Sequence, residues 1–183
     1  EAQALTASLE AQLDSYIEQL RQLCAIECPT ASKPGVDQAG AWVREWAAAR
    51  GWELRDYPDA TAGDSLTITL RGSGSLRVLL AAHLDTVYPV GVAAERPVRI
   101  EGDVLLGPGS ADNKSGLLSA LYAMAALEDL GLLAPIGALT LMCGGDEETD
   151  MRSSIALMRE LAPAHDMALV LEAGRENGDI VGA

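Results

Sequence analysis

Three stretches, Val78 to Ala82, Gly137 to Cys143 and Asp166 to Leu171, limit what this chain can fold into more than any other feature. Each has the length of a strand and is apolar with little alternation, the pattern of a strand buried on both faces. Helical patterns separate them. From Ser115 to Leu130, Leu117, Leu118, Leu121, Met124, Ala125 and Leu127 cover most of a helix circumference, and Ser153 to Leu161 is a second helix stopped by Pro163. Buried strands alternating with helices predict an α/β fold, a three-layer α/β/α sandwich around a largely parallel mixed sheet.

The residues at the strand ends turn this architecture into chemistry. His83 follows the first stretch, Asp146-Glu147-Glu148 follow the second beyond Gly144-Gly145, and Glu172 ends the third. Sheets of this kind bind ligands beyond the carboxyl ends of their strands, so one edge would collect an imidazole and several carboxylates. Asp112, just ahead of a buried helix, would join them. Alone, His83-Leu84-Asp85 reads as a histidine satisfied by an acid at a turn. Its company reverses that reading, because carboxylates packed without a cation raise one another's pKa and are costly to desolvate, whereas one or two divalent ions neutralise them.

The rest of the chain supports this frame. Leu5, Leu9, Leu13, Tyr16, Ile17, Leu20 and Leu23 recur at helical spacing and predict one amphipathic helix from Leu5 to Cys24. A second helix runs from about Val36 to Arg50, where Trp42 and Trp46 read as core and not as a ligand platform. Trp52 to Tyr57, Ser65 to Arg71 and Leu76 to Ala82 predict three neighbouring strands. An irregular crossing marked by Pro89, Gly91 and Pro97 leads to a hairpin over Val98 to Gly107 with Gly102-Asp103 in its turn. Asn177-Gly178 signals a turn before a strand from Asp179 to Ala183. Gly107-x-Gly109 is no phosphate loop, since Asp112 close behind would repel the anion.

With 183 residues the expectation is a single domain. A net charge of -14 opposes nucleic acid and anionic membrane surfaces, and no apolar run has the length of a membrane span. No signal peptide is expected at the start as given. Three cysteines without a second pair read as buried or free thiols, which leans towards a reducing, cytoplasmic setting, with a periplasmic or secreted one the alternative if a signal peptide has been removed.

Four motifs, in order, carry a resemblance: Ala81-Ala82-His83-Leu84-Asp85-Thr86-Val87-Tyr88, Gly107 to Gly116 (G-P-G-S-A-D-N-K-S-G), Gly144-Gly145-Asp146-Glu147-Glu148 and Val170-Leu171-Glu172-Ala173-Gly174. Together they resemble the zinc-dependent M20 metallopeptidases, and within these the glutamate carboxypeptidases. The resemblance implies a zinc-exopeptidase fold and hydrolysis of a peptide or N-acyl amide bond next to a C-terminal amino acid. It implies His83 and Glu172 as ligands of one Zn2+, Glu148 as a ligand of the other, and Asp112 as the bridge. Glu147 matches the general base that takes a proton from the hydrolytic water, Asp85 matches the acid that orients His83, and the Asp112-Asn113 peptide is expected to be cis.

The chain departs from the family pattern at Asn113, where an aspartate is common, and at Asp150-Met151, in place of the Gly-Ser that often follows the paired glutamates. The resemblance also implies a lid and dimerisation domain and a returning C-terminal segment that residues 1–183 do not include, and with them homodimer formation and a late histidine for the second ion. His165 is a poor substitute, being expected at the opposite edge of the sheet. The expectation is therefore the N-terminal segment of a catalytic domain, acting on small peptides or N-acyl amino acids and binding one Zn2+ tightly. The alternative is an incomplete metal-binding or partner-binding segment without turnover.

Overall fold

Alternation along a single strand explains how the sheet is covered. In Ser65–Arg71, Leu66, Ile68 and Leu70 enter the main core, while Thr67 and Thr69 turn to the other face, where the Thr69 hydroxyl meets that of Thr140 at 3.3 Å. The computed structural model describes residues 1–174. The sequence expectations for Asn177-Gly178 and for Asp179 to Ala183 lie outside the described residues.

Seven strands are described: β1 (Glu53–Tyr57), β2 (Ser65–Arg71), β3 (Leu76–His83), β4 (Arg99–Glu101), β5 (Val104–Leu106), β6 (Ile136–Gly144) and β7 (Met167–Val170). Five of them form one sheet in the order β1-β2-β6-β3-β7, and β4 and β5 form a separate hairpin with Gly102-Asp103 in its turn. β6 pairs parallel to β3, and β3 parallel to β7; β1 and β2 add antiparallel pairings at the other side. The expected three neighbouring strands are therefore corrected, because β6 inserts between β2 and β3. Antiparallel β2 and parallel β3 each offer β6 an apolar ladder, and alternation alone does not say which strand is central.

The helices are α1 (Ala2–Glu10), α2 (Leu13–Ala25), α3 (Lys33–Ala48), α4 (Val92–Glu95), α5 (Ser115–Asp129) and α6 (Arg152–Leu161). The single amphipathic helix expected at the start is in fact two. At the junction the Gln12 N–H bonds Leu9 O instead of continuing the α-helical ladder, and its side chain donates to Ser8 O at 3.0 Å. Ser32 caps α3 by accepting from the Gly35 N–H, with Pro34 in the first turn, so this helix starts earlier than its apolar pattern suggested. The irregular crossing contains the short α4, whose entry is held by the Glu27 carboxylate accepting from the Gly91 N–H at 2.6 Å.

The main core lies between one face of the sheet and α2, α3 and α5, with Val78, Leu80 and Ala82 of β3 and Leu139, Leu141 and Cys143 of β6 at its floor. Leu79 and Met142 point the opposite way and pack under Leu157 of α6. Three layers result, as expected. Fully burying a leucine such as Leu118 or Leu121 contributes about 1.5–3 kcal/mol. The three cysteines are free and buried, and no helix among the described residues is long and apolar enough to cross a membrane.

Chain direction now positions a crevice. The β3-to-β6 crossover moves along the sheet one way through α5, and the β6-to-β7 crossover returns past β3 through α6. Crossovers of one hand moving in opposite directions must run on opposite faces, so the chain leaves the carboxyl ends of β3 and β6 in opposite directions. A gap opens between those two ends, which is where sheets of this type receive ligands.

Candidate metal centre

His83 is the last residue of β3, in register with Gly144 at the end of β6. It is 1% exposed, and its ring stands at the floor of the crevice. Nδ1 donates to the backbone carbonyl of Asp85 at 3.0 Å, with the Asp85 carboxylate 3.4 Å away, so Nε2 is the nitrogen turned outward. Around Nε2 stand Asp112 at 3.0 Å, Glu172 at 3.7 Å and Glu147 at 3.8 Å. Ligating atoms of His83, Asp112 and Glu148 all lie within 4.8 Å of one another, and Glu172 approaches the same imidazole from the end of β7. All six residues singled out from the sequence, His83, Asp85, Asp112, Glu147, Glu148 and Glu172, thus meet in one place.

Asp85 does more than face a histidine. Its fully buried carboxylate accepts from the Thr30 hydroxyl at 2.6 Å and from the backbone N–H groups of Glu147 and Glu148, each at 3.1 Å. One carboxylate therefore fixes the imidazole and the backbone of the acidic turn together. From behind, the buried Asp146 carboxylate accepts the Ser153 and Ser154 N–H groups at 2.8 and 2.9 Å, which ties the turn to the first turn of α6. Glu147 and Glu148 are left to project from a backbone held at both ends.

Asp112 comes from the turn Ser110–Lys114 ahead of α5, and its peptide bond to Asn113 is cis, as the resemblance implied. The next two residues are buried. Asn113 donates through Nδ2 to Leu171 O at 2.7 Å, and the Lys114 ammonium donates to Ile26 O at 2.8 Å. At the Asp150-Met151 departure, Met151 has a left-handed φ of 52°, and α6 begins at the next residue. His165 lies by the start of β7, with Nδ1 donating to Leu161 O at 2.8 Å and Nε2 3.1 Å from the Thr140 hydroxyl. That is the end of the strands remote from His83.

Electrostatics agree with the geometry. Burial disfavours charge on His83, yet Asp85, Glu172 and Asp112 outweigh it and push the imidazole up to about 9. Partial burial and the neighbouring acids raise Glu147 and Glu148 above the usual carboxylate range. Burial acts against the Asp85 charge as well, but His83, Thr30 and the Glu148 N–H overcome it and lower its pKa. So many acids on one imidazole suit a divalent cation, which would replace a proton as their common partner. An open cleft of about 830 Å³ adjoins the turn, lined by Thr30, Tyr57, Thr149 and Ser153 among others. Its walls do not include His83, Asp112 or Glu172, so it is a neighbouring hollow.

Thr30 and Lys114 were not anticipated at this site, and Asp146, placed at the strand end from the sequence, was given no role there. Asp146 had a signal, since an acid before Glu147-Glu148 and seven residues ahead of a helix start can cap that helix. Thr30 had none, because a separation of 55 residues joins it to Asp85.

The model of peptidase family M20/M25/M40 matches residues 79–182, more than half of the chain and all four motifs. The chain belongs to this family. Among curated relatives, carboxypeptidase G2 of Pseudomonas sp. (strain RS-16) is 32% identical over 160 residues, covering 86% of this chain and 38% of that protein. Among solved structures, the M20 family metallo-carboxypeptidase Sso-CP2 from Sulfolobus solfataricus matches with a TM-score of 0.74 at 19% identity, over 89% of this chain and 38% of that one. The di-peptidase Dug1p of Saccharomyces cerevisiae matches with a TM-score of 0.77 at 14% identity, over 92% of this chain and 40% of that one. These structures share the fold of this M20 chain, which spans about two fifths of the length of each relative.

Proposed function

We propose that this M20 chain is the N-terminal segment of the catalytic domain of a zinc-dependent hydrolase that cleaves a peptide or N-acyl amide bond next to a C-terminal amino acid. The convergence of Asp112, Glu172 and Glu147 within 3.8 Å of His83 Nε2, from three separate segments, carries the reading. His83 and Glu172 would hold one Zn2+, Glu148 the other, and Asp112 both. When bound, zinc polarises a carbonyl and acidifies water to a pKa of about 7. Asp85 keeps the His83 Nδ1 proton in place and leaves Nε2 free to ligate. Glu147, held by its backbone and raised in pKa, takes the proton of the attacking water and returns it to the leaving amine.

Substrate class is drawn from the relatives, whose names include a carboxypeptidase and a di-peptidase. An N-acyl-glutamate and a plain dipeptide, each assayed with added zinc, test it. Release of free amino acid that vanishes in Glu147→Gln supports the reading, and equal turnover in that variant refutes it. One observation favours a second reading, a segment that binds metal without turnover: the described residues bring together a single three-residue group that could hold a metal, His83, Asp112 and Glu148. Zinc binding without hydrolysis of either substrate would select it.

A further inference from the structure

Glu172 reaches the centre from an element that little else holds. β7 is four residues long, all four exposed, and its described ladder is to β3 alone. Beyond its last residue, the Leu171 N–H still bonds Ala81 O at 2.9 Å, and the Leu171 carbonyl accepts the Asn113 amide at 2.7 Å. The next residue is Glu172. We infer that Asn113 is a positioning residue for Glu172: by holding the Leu171 carbonyl, its side-chain amide sets how Glu172 reaches His83 Nε2.

The contact needs a donor at this place. The Asn113 side-chain N–H supplies it, whereas an ionised carboxylate of the same shape would bring oxygen against oxygen in a buried place. The other end of the amide, Oδ1, is buried without a partner among the described residues, so the position is held by its donor. Gly116 also stands against this carbonyl, and a Cβ there would lie 2.0 Å from Leu171 O. The carbonyl is thus enclosed by the start of α5 and the Asn113 side chain. Because Asn113 directly follows Asp112, one hydrogen bond ties together the backbones that present two of the acids. Asn113, noted from the sequence only as a departure from the family pattern, acquires a role.

This inference rests on the metal-centre reading, and its test separates the two. Asn113→Leu and Asn113→Asp both remove the donor; Leu118→Ala, in the core of α5 and away from the crevice, serves as the control for lost stability. In metal-free protein, hydrogen exchange at the Leu171 and Glu172 amides should quicken at least tenfold in both Asn113 variants, with Val78 to Ala82 unchanged. With zinc alone as ligand, both should bind 10- to 100-fold more weakly, the range for groups that orient metal ligands. Their Co2+ complexes should show shifted d–d bands. Leu118→Ala should lower the melting temperature without moving the Co2+ spectrum. Unchanged exchange at Leu171 and Glu172 in either folded Asn113 variant overturns the inference, as would a Leu118→Ala protein that loses zinc in equal measure. A wild-type protein with no tight zinc site would instead overturn the metal-centre reading, while the exchange arm still decides the role of Asn113.

Discussion

His83 is held at both ends of its ring, by Asp85 at Nδ1 and by Asp112 at Nε2, and in metal-free protein this favours the imidazolium. Its folded pKa, about 9, lies above the ordinary 6.5, so the stability it adds is complete below about pH 6.5 and is lost as pH rises through 9. The urea midpoint of the metal-free protein should therefore fall across that interval, and His83→Ala should lack the step. Glu147 leads to a different expectation. Glu147→Gln keeps its backbone N–H on Asp85 but cannot take a proton, so zinc content should persist while turnover drops on the order of 10²-fold or more. Metal analysis beside a kcat measurement checks both halves. The sequence made these residues legible because each stands at the end of an apolar stretch. It left Thr30 hidden, because a hydroxyl that meets Asp85 across 55 residues has no local pattern. Thr30→Val keeps the shape and removes one donor to a buried charge, which should cost about 1.5–3 kcal/mol in urea unfolding.

Elements were read well where one period dominates and poorly where partners decide. α5 and β6 fall close to their predicted spans because buried residues surround them, whereas the break between α1 and α2 has no glycine or proline to announce it. Strand order was hidden for a related reason: β2 and β3 are both apolar enough to flank anything, and only the assembled sheet puts β6 between them. The acidic turn is an element-scale device as well. Asp146 accepts two N–H groups at the start of α6, and Asp146→Ala would leave them without this partner. A loss of roughly 2 kcal/mol is expected, with faster hydrogen exchange in the first turn of α6. If α6 exchanges at the wild-type rate, the cap does not hold the turn.

At the scale of the whole molecule the question is what a chain of net charge -14 gains from a cation where Asp112, Glu147, Glu148 and Glu172 gather around His83. Zinc bound at 100 times its dissociation constant adds about 2.7 kcal/mol to folding. For a chain of this size that corresponds to a rise in Tm of roughly 5 to 10 °C, which chelation should reverse. The ligand count makes the effect unequal between two ions. On the proposed assignment, and among the described residues, His83, Asp112 and Glu172 would supply three protein ligands to one position, enough for four-coordinate zinc with water, whereas Asp112 and Glu148 would supply two to the other. His165 does not make up the difference, since both of its ring nitrogens are engaged at the remote end of the strands. Titration of metal-free protein with zinc should give one tight equivalent. His83→Ala should abolish it and the Tm rise together, while Glu148→Ala should leave both largely intact. Glu148 is the sharper arm of this test, because its ligating atom lies within 4.8 Å of those of His83 and Asp112. If Glu148→Ala removes the tight equivalent and Glu172→Ala does not, Glu148 and not Glu172 shares the first ion with His83.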